Sequence, residues 1–595
     1  MRRTVSRVAL LLAAVLCMVW LAPAVAESSD TVDILFLATS DIHGQVFATD
    51  YTADVSASGS YRQGLTRVAT YIREMREQNS NVFLGDCGDT IQGTPLTYYY
   101  AFYKGLDEDP MVKAMRALDY DLWVLGNHEF NYGLEILNRQ LDNATTTEAD
   151  GSSIAMSMAN YLDASTNTDD SRDWNTWKGY QPYLLRDYEG VTVAVMGMGN
   201  PNIAKWDVPE NWEGIYFANP IETYLHYEQE MVEKSDVIVL YSHSGIDNDA
   251  DSDFMRALVE QTDTIDLVFS GHEHRNGVTE VTNKAGKVVP IISPSTKCNA
   301  IGQARVTVDK ASGEKTVTAE NVPMREYPID SELEALIAPY EQAAWNDYML
   351  QPIGKAAGDF TASGLGTAPS AFVDLVNRVQ IWGAYDSTGM NTPDETRDDQ
   401  PAQLSITAPL TSGNAENLIA AGDIMLGDMF RLYRYENWFY QITMTGKEVR
   451  TWLEFSASKL GYDEQGALVV NGGLTYYDVI YGDGFSYDVD VSAPADSRIV
   501  SMTYQGVEVK DDDVFTVVVN NYRYNGGGDY IKYLNEHGCP FTPNDASRVI
   551  YSTQYDMVQG EDMGQARNLL AEYIRQHGEI VPEITSTWKL VNVNE

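Results

Sequence analysis

Short apolar runs that end in polar residues recur through the first half of the chain. Five of them, ILFLATSD, NVFLGDCGD, LWVLGNHE, VIVLYSHSG and LVFSGHEH, have the length and composition of buried β-strands. Between the first two runs, the segment TRVATYIREM places Val68, Ile72 and Met75 on one helical face. The segment MVKAMRALDY shows the same helical period before the third run. The pattern therefore predicts an α/β domain.

Each of these predicted strands ends in residues that can bind a metal ion. Ligands gather outside the carboxyl ends of strands in open α/β sheets, so the motifs converge if the five strands share one sheet. Carboxylates and neutral imidazoles suit Mn²⁺, Zn²⁺ or Fe²⁺, and a pair of such ions typically supports phosphoester hydrolysis. The ligand-type residues at the strand ends are Asp41, His43, Asp89, Asn127, His243, His272 and His274.

The order of the motifs DIHG, GDxxxG, GNHEFNYG, SHSG and GHEH resembles the calcineurin-type metallophosphoesterases of the bacterial 5′-nucleotidase superfamily. GDTIQGTPL and the later stretches LYRYEN, TGKEVRTWLEFSA, YYDVIYGDGFSYDVD and NNYRYNGGG resemble one branch, the 2′,3′-cyclic-nucleotide 2′-phosphodiesterase/3′-nucleotidases. The resemblance implies an α/β (α+β) fold, in which an N-terminal β-sandwich flanked by helices carries the metals and a separate C-terminal α/β domain binds substrate. It also implies two divalent metal ions, drawn from Mn, Zn, Co or Fe.

The resemblance assigns the ligand-type residues to two metal positions. The residues implied for the first ion are Asp41, His43 and His274. The residues implied for the second ion are Asn127, His243 and His272. Asp89 would bridge the two ions. Asp86 competes for that role because it also follows a glycine, but only Asp89 leaves Gly93 at the GDxxxG spacing. Cys87 is a further candidate ligand or redox switch, although a small buried residue is the ordinary need at such a position.

His128 resembles the catalytic imidazole of the family, which would stabilise transition-state charge or protonate the leaving oxygen. Related 5′-nucleotidases commonly carry an aspartate three residues after this histidine, whereas this chain has Asn131. An asparagine can orient an imidazole by hydrogen bonding but cannot stabilise its cation by charge. The cyclic-phosphodiesterase branch resembles this chain in having asparagine here, so Asn131 favours that branch.

The pattern changes near residue 325, where we expect the chain to divide. The predicted units are a metallophosphoesterase domain over 27–325, a linker helix over 326–356 and a substrate-binding domain over 357–595. SELEALIAPYEQAAWNDYM has a helical period, and GKAAGDFTASGLGTAPS after it predicts a loop. Further on, ITMTGKEVRTWLEFSASKL predicts a strand, a turn and a helix, and DVFTVVVNN predicts a buried strand.

The C-terminal half is rich in tyrosine, and the resemblance places base recognition there. Two aromatic rings, Tyr435 and Tyr522, would sandwich a nucleobase, and the triple glycine would let the backbone approach the ligand. Taken alone, tyrosine pairs are more often packing residues. The residues implied for substrate binding are Tyr435, Asn437, Tyr522, Arg523, Tyr524, Asn525, Gly526, Gly527 and Gly528.

The 595 residues carry a formal net charge of −45 at pH 7. Such a field repels nucleic-acid polymers and anionic membrane surfaces. We therefore expect small nucleotides as partners, with no nucleic-acid polymer and no stable membrane anchor, and we expect a monomer. The acidic composition is equally compatible with a role in solubility or a saline habitat.

The first 26 residues have the pattern of a signal peptide. Arg2, Arg3 and Arg7 precede an apolar run over 8–21, and the small residues at 24–26 offer a cleavage site. The run is short for a membrane span. We therefore expect export to the periplasm or release from the cell. Removal of this segment would leave three cysteines, which cannot all pair within one chain.

Three functions are open at this point. The favoured one is hydrolysis of 2′,3′-cyclic nucleotides to 3′-nucleotides and then to nucleosides. The second is a 5′-nucleotidase or a nucleotide-sugar hydrolase of the same superfamily. The third is a surface binding protein without catalysis, which the complete set of metal ligands and the presence of His128 disfavour.

Overall fold

A computed structural model describes most of the chain. The described residues are 31–49, 51, 63–104, 109–147, 152–247, 253–361, 364–386, 401–409, 417–433, 436–474, 477–555 and 564–593. The predicted signal peptide over 1–26 and the predicted stacking residue Tyr435 lie outside them. Within the described residues, no helix is both long enough and apolar enough to cross a membrane.

The first part of the chain contains two six-stranded sheets. The strands of the first sheet, in spatial order, are Lys315–Pro323, Ala300–Asp309, Thr31–Thr39, Val82–Asp86, Leu122–Trp123 and Ala155–Met156. Those of the second sheet are Asn276–Thr282, Val288–Pro294, Leu267–Ser270, Val237–Ser242, Val191–Met198 and Leu184–Tyr188. A small antiparallel pair joins Tyr161–Asp163 to Ile215–Phe217. The strands that carry the metal motifs pair in parallel with one another. The pairs are Thr31–Thr39 with Val82–Asp86, Val82–Asp86 with Leu122–Trp123, and Val237–Ser242 with Leu267–Ser270.

The two sheets pack face to face. The ring of Tyr241 in the second sheet lies 5.6 Å from that of Phe83 in the first, and its hydroxyl donates to the carbonyl oxygen of Leu37 at 3.0 Å. The five motif strands do not share one sheet, because three lie in the first sheet and two in the second. The motifs still converge, since the carboxyl ends of both sets meet at one edge of the sandwich.

Helices cover the outer faces of this sandwich. They are Leu65–Gln78, Pro95–Phe102, Pro110–Ala117, Leu134–Thr145, Ile203–Trp206, Pro220–Lys234 and Met255–Gln261. Short 3-10 turns occupy His128–Tyr132, Trp177–Gly179 and Pro209–Trp212. Val68 and Ile72 are fully buried and Met75 packs against the core, so the predicted helical face is confirmed.

A helix connects the two halves of the chain. It spans Ser331–Ala344 and continues as a π-helical turn over Trp345–Met349. Asp330 caps it by accepting a hydrogen bond from the backbone N–H of Leu333 at 2.7 Å. The helix that SELEALIAPYEQAAWNDYM predicts is confirmed, while the wider linker over 326–356 stays a prediction.

The segment after this helix differs from its prediction. We expected a loop, but Pro352–Ala356 is a strand that pairs antiparallel with Gly422–Met425 and in parallel with Glu579–Ile580. Both partners lie far along the chain. A glycine- and alanine-rich segment gives little local strand signal, so only this distant pairing makes it a strand.

The C-terminal part is a mixed α/β domain. Its central five-stranded sheet has the order Val479–Tyr481, Leu404–Thr407, Val514–Asn520, Phe439–Thr445 and Val549–Ser552. A four-stranded sheet has the order Val507–Glu508, Ile499–Tyr504, Phe485–Asp490 and Lys589–Val591. Two further pairs join Phe360–Thr361 to Asn417–Ile419 and Leu460–Tyr462 to Leu468–Val470. The helices are Ala371–Asp386, Met429–Leu432, Gly446–Ser458, Asn521–Tyr524, Tyr530–Glu536 and Ala566–His577, with 3-10 turns at Leu426–Asp428, Ala546–Arg548 and Thr553–Tyr555. The two-domain α/β architecture and the predicted strands at ITMT and DVFTVVVNN are confirmed.

Buried polar groups join the two domains beside the metal motifs. The side chain of Gln92 donates to Glu436, which pairs with Arg567 at 2.8 Å. Arg567 is almost fully buried, and its guanidinium lies 5.0 Å from the ring centroid of Tyr98 in the first domain. Because the backbone carbonyl of Gln92 also contacts His43 Nδ1 at 3.0 Å, the domain interface reaches the metal motifs directly.

Candidate metal centre

The loops at the strand ends bring one compact group of ligand-type side chains together. Each of Asp41, His43, Asp89 and His274 offers a ligand atom, and these atoms all lie within 4.8 Å of one another. The Nε2 atoms of His43 and His274 are 3.2 Å apart, and Asp41 Oδ1 lies 3.3 Å from His274 Nε2. Two nitrogen and two oxygen ligands at this spacing fit one divalent cation.

A second set of side chains adjoins the first through Asp89. Asp89 Oδ2 lies 3.1 Å from His243 Nε2. The rings of His243 and His272 have centroids 5.4 Å apart, and His272 Nδ1 lies 3.0 Å from Asn127 Oδ1. The geometry thus brings together all seven residues that the sequence predicted as ligands, with the Asp89 carboxylate between the two sets.

Two buried atoms in this group fit a cation. Asp41 Oδ1 and His243 Nε2 have no hydrogen-bond partner within the described residues. Buried polar atoms almost always find a partner, and a bound cation would satisfy both of these.

The histidines of the group are tuned in two directions. Burial lowers the pKa of His43 to about 3 and that of His272 to about 4, which keeps both imidazoles neutral, the state in which they bind metal. Burial also acts to lower the pKa of His243, but the nearby Asp89 carboxylate outweighs it and raises this pKa to about 10.

The ligand loops adopt a backbone conformation that is unfavourable for most residues. Asp41, His43, Asp89, His272 and His274 all have positive φ, between 50° and 75°. Only a few per cent of residues other than glycine adopt this region, with Asn, Asp and His the most frequent among them, and such strain concentrates at functional sites. Five of the seven predicted ligands are therefore held in sharp turns that direct their side chains to one point.

Glycine is required next to the predicted bridging carboxylate. A Cβ atom at Gly126 would collide with Asp89 Oδ1, with the Asp89 backbone nitrogen and with the ring of His243. The glycine of GNHE therefore allows two loops to approach each other closely at the centre of the group.

Glu129 supports the group, and the sequence analysis missed it. Its carboxylate is fully buried and accepts hydrogen bonds from the backbone N–H groups of Asp89 at 2.7 Å and Gly126 at 2.6 Å. It also accepts from Thr90 at 2.5 Å and Ile91 at 3.2 Å. One side chain thus fixes both loops that carry the central ligands. The only indication in the sequence was its position within GNHE, where a glutamate is ordinarily interpreted as an exposed charge.

Asp86, the alternative to Asp89, points into the domain interior. It accepts hydrogen bonds from the hydroxyls of Thr39 at 2.6 Å and Thr90 at 2.5 Å, and burial raises its pKa to about 7. Cys87 beside it has a fully buried thiol whose pKa burial raises well above its usual value. Its backbone carbonyl, rather than its sulfur, contacts His243 Nδ1, at 2.7 Å. Asp86 and Cys87 therefore serve packing and orientation in this geometry.

His128 lies beside the group without belonging to it. Its backbone N–H donates to Asp89 Oδ1 at 2.7 Å, and its ring centroid is 5.3 Å from that of His43. Its Nδ1 is 2.6 Å from Asn131 Oδ1, as the sequence predicted for an orienting asparagine. The imidazole is therefore held next to the predicted metal ligands. Its Nδ1 is occupied by the contact with Asn131, so Nε2 is the ring nitrogen that remains for another partner.

The predicted substrate residues of the C-terminal domain fall into two kinds. Arg523 is buried, and its guanidinium contacts Asp478 at 2.9 Å and the carbonyl oxygen of Gly527 at 3.2 Å. Tyr524 and Asn525 are each 3% exposed, and the Tyr524 hydroxyl donates to the backbone carbonyl of Asp545. These side chains hold the loop in place.

The glycine loop, residues 521–528, begins with the helical turn Asn521–Tyr524, and Tyr522 is its exposed member. Its side chain is 37% exposed, and Gly527 lies directly under the ring, where a Cβ atom would meet it. Gly526 and Gly528 have φ values of 104° and 81°, which glycine adopts without strain. The triple glycine thus presents one aromatic ring on the surface. Asn437, by contrast, is buried and donates to the hydroxyl of Tyr433 at 3.2 Å.

Comparisons with known proteins agree with this arrangement. Residues 34–276 match the family model of calcineurin-like phosphoesterases, and residues 352–536 match that of the 5′-nucleotidase C-terminal domain. The chain is 28% identical to the 2′,3′-cyclic-nucleotide 2′-phosphodiesterase/3′-nucleotidase of Salmonella typhimurium, over 96% of this chain and 91% of that protein. It is also 28% identical to the trifunctional nucleotide phosphoesterase protein YfkN of Bacillus subtilis, again over 96% of this chain. This chain spans only 39% of the length of the Bacillus protein.

Solved structures show the same fold. The 5′-nucleotidase precursor from Thermus thermophilus superposes with a TM-score of 0.61 at 22% identity, covering 94% of this chain and 100% of that one. The first part of the chain is therefore similar to calcineurin-like phosphoesterases, and the protein is a metal-dependent hydrolase of phosphoric esters. Its second part is similar to the C-terminal domain of 5′-nucleotidases.

Proposed function

We propose that the protein hydrolyses 2′,3′-cyclic nucleotides to 3′-nucleotides, and 3′-nucleotides to nucleosides and phosphate, with two divalent metal ions. The observation that carries the proposal is the position of the Asp89 carboxylate. It belongs to the compact group with Asp41, His43 and His274 and also contacts His243 of the second set. A carboxylate shared in this way is what a pair of metal ions needs.

Three residues complete each metal position. Asp41, His43 and His274 would hold the first ion, whose carboxylate and imidazole ligands are 3.2 to 3.3 Å apart. The residues that would hold the second ion are Asn127, His243 and His272. Bound Mn, Zn, Co or Fe would lower the pKa of water and stabilise the charge of the phosphoryl group.

The chain itself supplies the groups around the reacting phosphate. His128, oriented by Asn131, would stabilise charge on the phosphoryl oxygens or hold the proton that the leaving oxygen takes up. Glu129 would keep the loops of Asp89 and Gly126 in register while the substrate binds. Removal of either support would misplace groups whose alignment sets the rate.

Base recognition is assigned to the C-terminal domain. The exposed ring of Tyr522 would stack on one face of the nucleobase, and Tyr435 on the other. The backbone of Gly526, Gly527 and Gly528 would approach the nucleotide. Arg523, Tyr524, Asn525 and Asn437 would act through the loop conformation, because their side chains are buried.

We also infer the location and the partners of the protein. The signal-like pattern over 1–26 supports export to the periplasm or the medium, and the net charge of −45 supports small nucleotides over nucleic-acid polymers. We propose a monomer without a stable membrane anchor.

A substrate panel tests this function against its alternatives. The panel compares 2′,3′-cyclic AMP, 3′-AMP, 5′-AMP, UDP-glucose and bis(4-nitrophenyl) phosphate, before and after chelation and with Mn²⁺ or Co²⁺ restored. We expect the highest kcat/KM with the cyclic and 3′-nucleotides and almost no turnover after chelation. Higher kcat/KM with 5′-AMP or UDP-glucose would favour a 5′-nucleotidase or a nucleotide-sugar hydrolase. Absence of turnover with every metal would favour a binding protein.

A further inference from the structure

A chain of hydrogen bonds leads from His128 into the domain interior. His128 Nδ1 lies 2.6 Å from Asn131 Oδ1, and Asn131 Nδ2 donates to Asp207 Oδ2 at 3.0 Å. Asp207 directly follows the short helix Ile203–Trp206. The contact between residues 131 and 207 therefore joins two distant segments of the chain behind the candidate catalytic imidazole.

Asp207 is a buried carboxylate surrounded by hydrogen-bond donors. It is 3% exposed, and its Oδ1 accepts from the backbone N–H of Val208 at 2.7 Å and from Asn211 Nδ2 at 2.8 Å. Together with the bond from Asn131, the carboxyl group therefore accepts three hydrogen bonds, all of them from neutral amide groups. Burial raises its pKa, and these hydrogen bonds and the nearby His128 oppose that effect.

The donor and acceptor roles in this chain allow one assignment. Both oxygens of Asp207 act as acceptors in these contacts, so Asn131 turns its NH₂ group to Asp207. The carbonyl oxygen of Asn131 must then face His128. Because this oxygen only accepts, Nδ1 of His128 must carry a proton. The ring nitrogen left for the substrate is Nε2.

We propose that Asp207 is a positioning residue that fixes the amide of Asn131 and thereby the Nδ1–H tautomer of His128. The proposal rests on the proposed function, since it gives this tautomer a role in phosphoester hydrolysis. A neutral asparagine alone has two orientations of its amide, one of which would place the proton on Nε2. The carboxylate at position 207 removes that freedom, and it supplies the negative charge that the third position after His128 lacks.

An exchange of the two side chains tests the proposal. Asp207→Asn replaces the carboxylate, which only accepts hydrogen bonds, with an amide that can also donate. We expect kcat to fall about 10-fold, which is less than the 10² to 10⁴-fold loss typical of a proton-transfer group. KM should stay within about 2-fold of the wild-type value. Asn131→Asp places a second carboxylate against Asp207 and should lower kcat further. The double variant Asn131→Asp/Asp207→Asn should recover kcat to within about 3-fold of wild type, because position 131 then only accepts and position 207 can donate to it.

A tautomer measurement gives a readout that is independent of turnover. In ¹⁵N-histidine-labelled, zinc-loaded protein, the ring nitrogens of His128 are assigned by comparison with the His128→Gln spectrum. We expect the Nδ1–H form in wild type, a mixture in Asp207→Asn and the Nδ1–H form again in the double variant. Zinc content should be equal in all of them, because none of these residues is an assigned ligand.

A buried aspartate far from the metal group serves as a matched control. Asp109 is 5% exposed and accepts from the backbone N–H groups of Met111 at 2.8 Å and Val112 at 3.3 Å, as the cap of a helix. Asp109→Asn should lower stability while leaving kcat and the His128 tautomer as in wild type. A loss of kcat equal to that of Asp207→Asn would mean that general damage explains both.

Two results would overturn the role of Asp207. One is wild-type kcat with a single Nδ1–H tautomer in Asp207→Asn. The other is a folded double variant that keeps the mixed tautomer. If the double variant does not fold, the tautomer in Asp207→Asn decides alone. Failure of the proposed function would look different, since the substrate panel would then show no cyclic or 3′-nucleotide turnover in the wild-type protein.

Discussion

The metal group of the first domain and the glycine loop of the second contrast in how their side chains are held. Around the metal group, Asp41, Asp89 and His243 are buried, and each contacts another ligand-type side chain. In the glycine loop, Arg523 and Tyr524 are buried as supports, and Tyr522 alone carries an exposed ring. The first region fixes the positions of ligand-type atoms relative to one another, whereas the second exposes one aromatic ring.

This contrast explains why the two regions differ in what a substitution should do. Ligand atoms that share a cation depend on one another, so the loss of one affects all of them. A stacking ring contributes by contact with one face of the ligand, and its loss leaves the rest of the protein intact. Under the proposed function, chemistry therefore belongs to the first domain and base recognition to the second.

The largest effect is expected from the shared carboxylate. Asp89→Asn removes the charge between the two sets of ligands, so turnover should be abolished and bound metal should fall below two ions per chain. Metal analysis together with nucleotide hydrolysis measures both. Asp86→Asn is the matched control and should retain its metal, because Asp86 bonds to Thr39 and Thr90 inside the domain. Full activity of Asp89→Asn with two ions bound would contradict the role of Asp89 as the shared carboxylate.

His128 should give the next largest effect. His128→Ala keeps the backbone N–H that bonds to Asp89, so metal content should stay unchanged while kcat falls about 10² to 10⁴-fold. The loss should be equal for nucleotides and for a base-free phosphodiester, because both react at the same centre. Loss of a metal ion in this variant would instead make His128 a ligand.

The exposed ring should show a smaller and more selective effect. Tyr522→Ala should raise KM for nucleotides about 5 to 150-fold, the range that follows from stacking, and leave ethylene phosphate, a cyclic phosphodiester without an aromatic ring, unaffected. If closure of the domains limits turnover, kcat for nucleotides falls as well. Tyr462 is equally exposed, at 37%, on the hairpin that joins Leu460–Tyr462 to Leu468–Val470 in the same domain. Tyr462→Ala should change neither substrate, and equal losses on both substrates in Tyr522→Ala would reduce that ring to a packing role.

Arg523 sharpens the contrast within the loop. Arg523→Met leaves Asp478 as an unpaired buried charge, so we expect a loss of about 3 to 5 kcal/mol in the free energy of unfolding. At a temperature where the variant remains folded, KM for nucleotides should rise less than about 5-fold, the lower limit for a stacking contact. Denaturation curves and KM measurements distinguish the two roles. A larger rise in KM without loss of stability would assign Arg523 to direct substrate contact.

The sequence predicted which side chains lie close together, because coordination chemistry restricts the residue types. Asp and His at successive strand ends share few roles other than metal binding, and the structure places Asp41, His43, Asp89 and His274 in one group. Their assignment as ligands stays a prediction. The arrangement of the motif strands in two sheets could not be predicted, since each strand has the same local pattern whichever sheet it joins. Glu129 and Asp207 were missed because their roles depend on backbone groups and segments that only the fold brings near them.

The C-terminal domain was harder to interpret from sequence. A tyrosine that stacks on a ligand and one that packs in the core are the same residue in the same kind of segment, and only burial separates Tyr522 from Tyr524. The strand Pro352–Ala356 was missed for a related reason, because its partners are distant in the chain. Local signals were sufficient where the helix Gly446–Ser458 begins, since Thr445 and Glu448 form a capping box.

The separation of chemistry from recognition is tested most directly by combining His128→Ala with Tyr522→Ala. If the two side chains act independently, their losses in kcat/KM for 2′,3′-cyclic AMP multiply in the double variant to within about 2-fold. The double variant should also hydrolyse ethylene phosphate, which has no base and no aromatic ring, at the rate of His128→Ala alone. A double variant that is no slower on the cyclic nucleotide than His128→Ala, or one that loses further activity on the base-free substrate, would contradict the account.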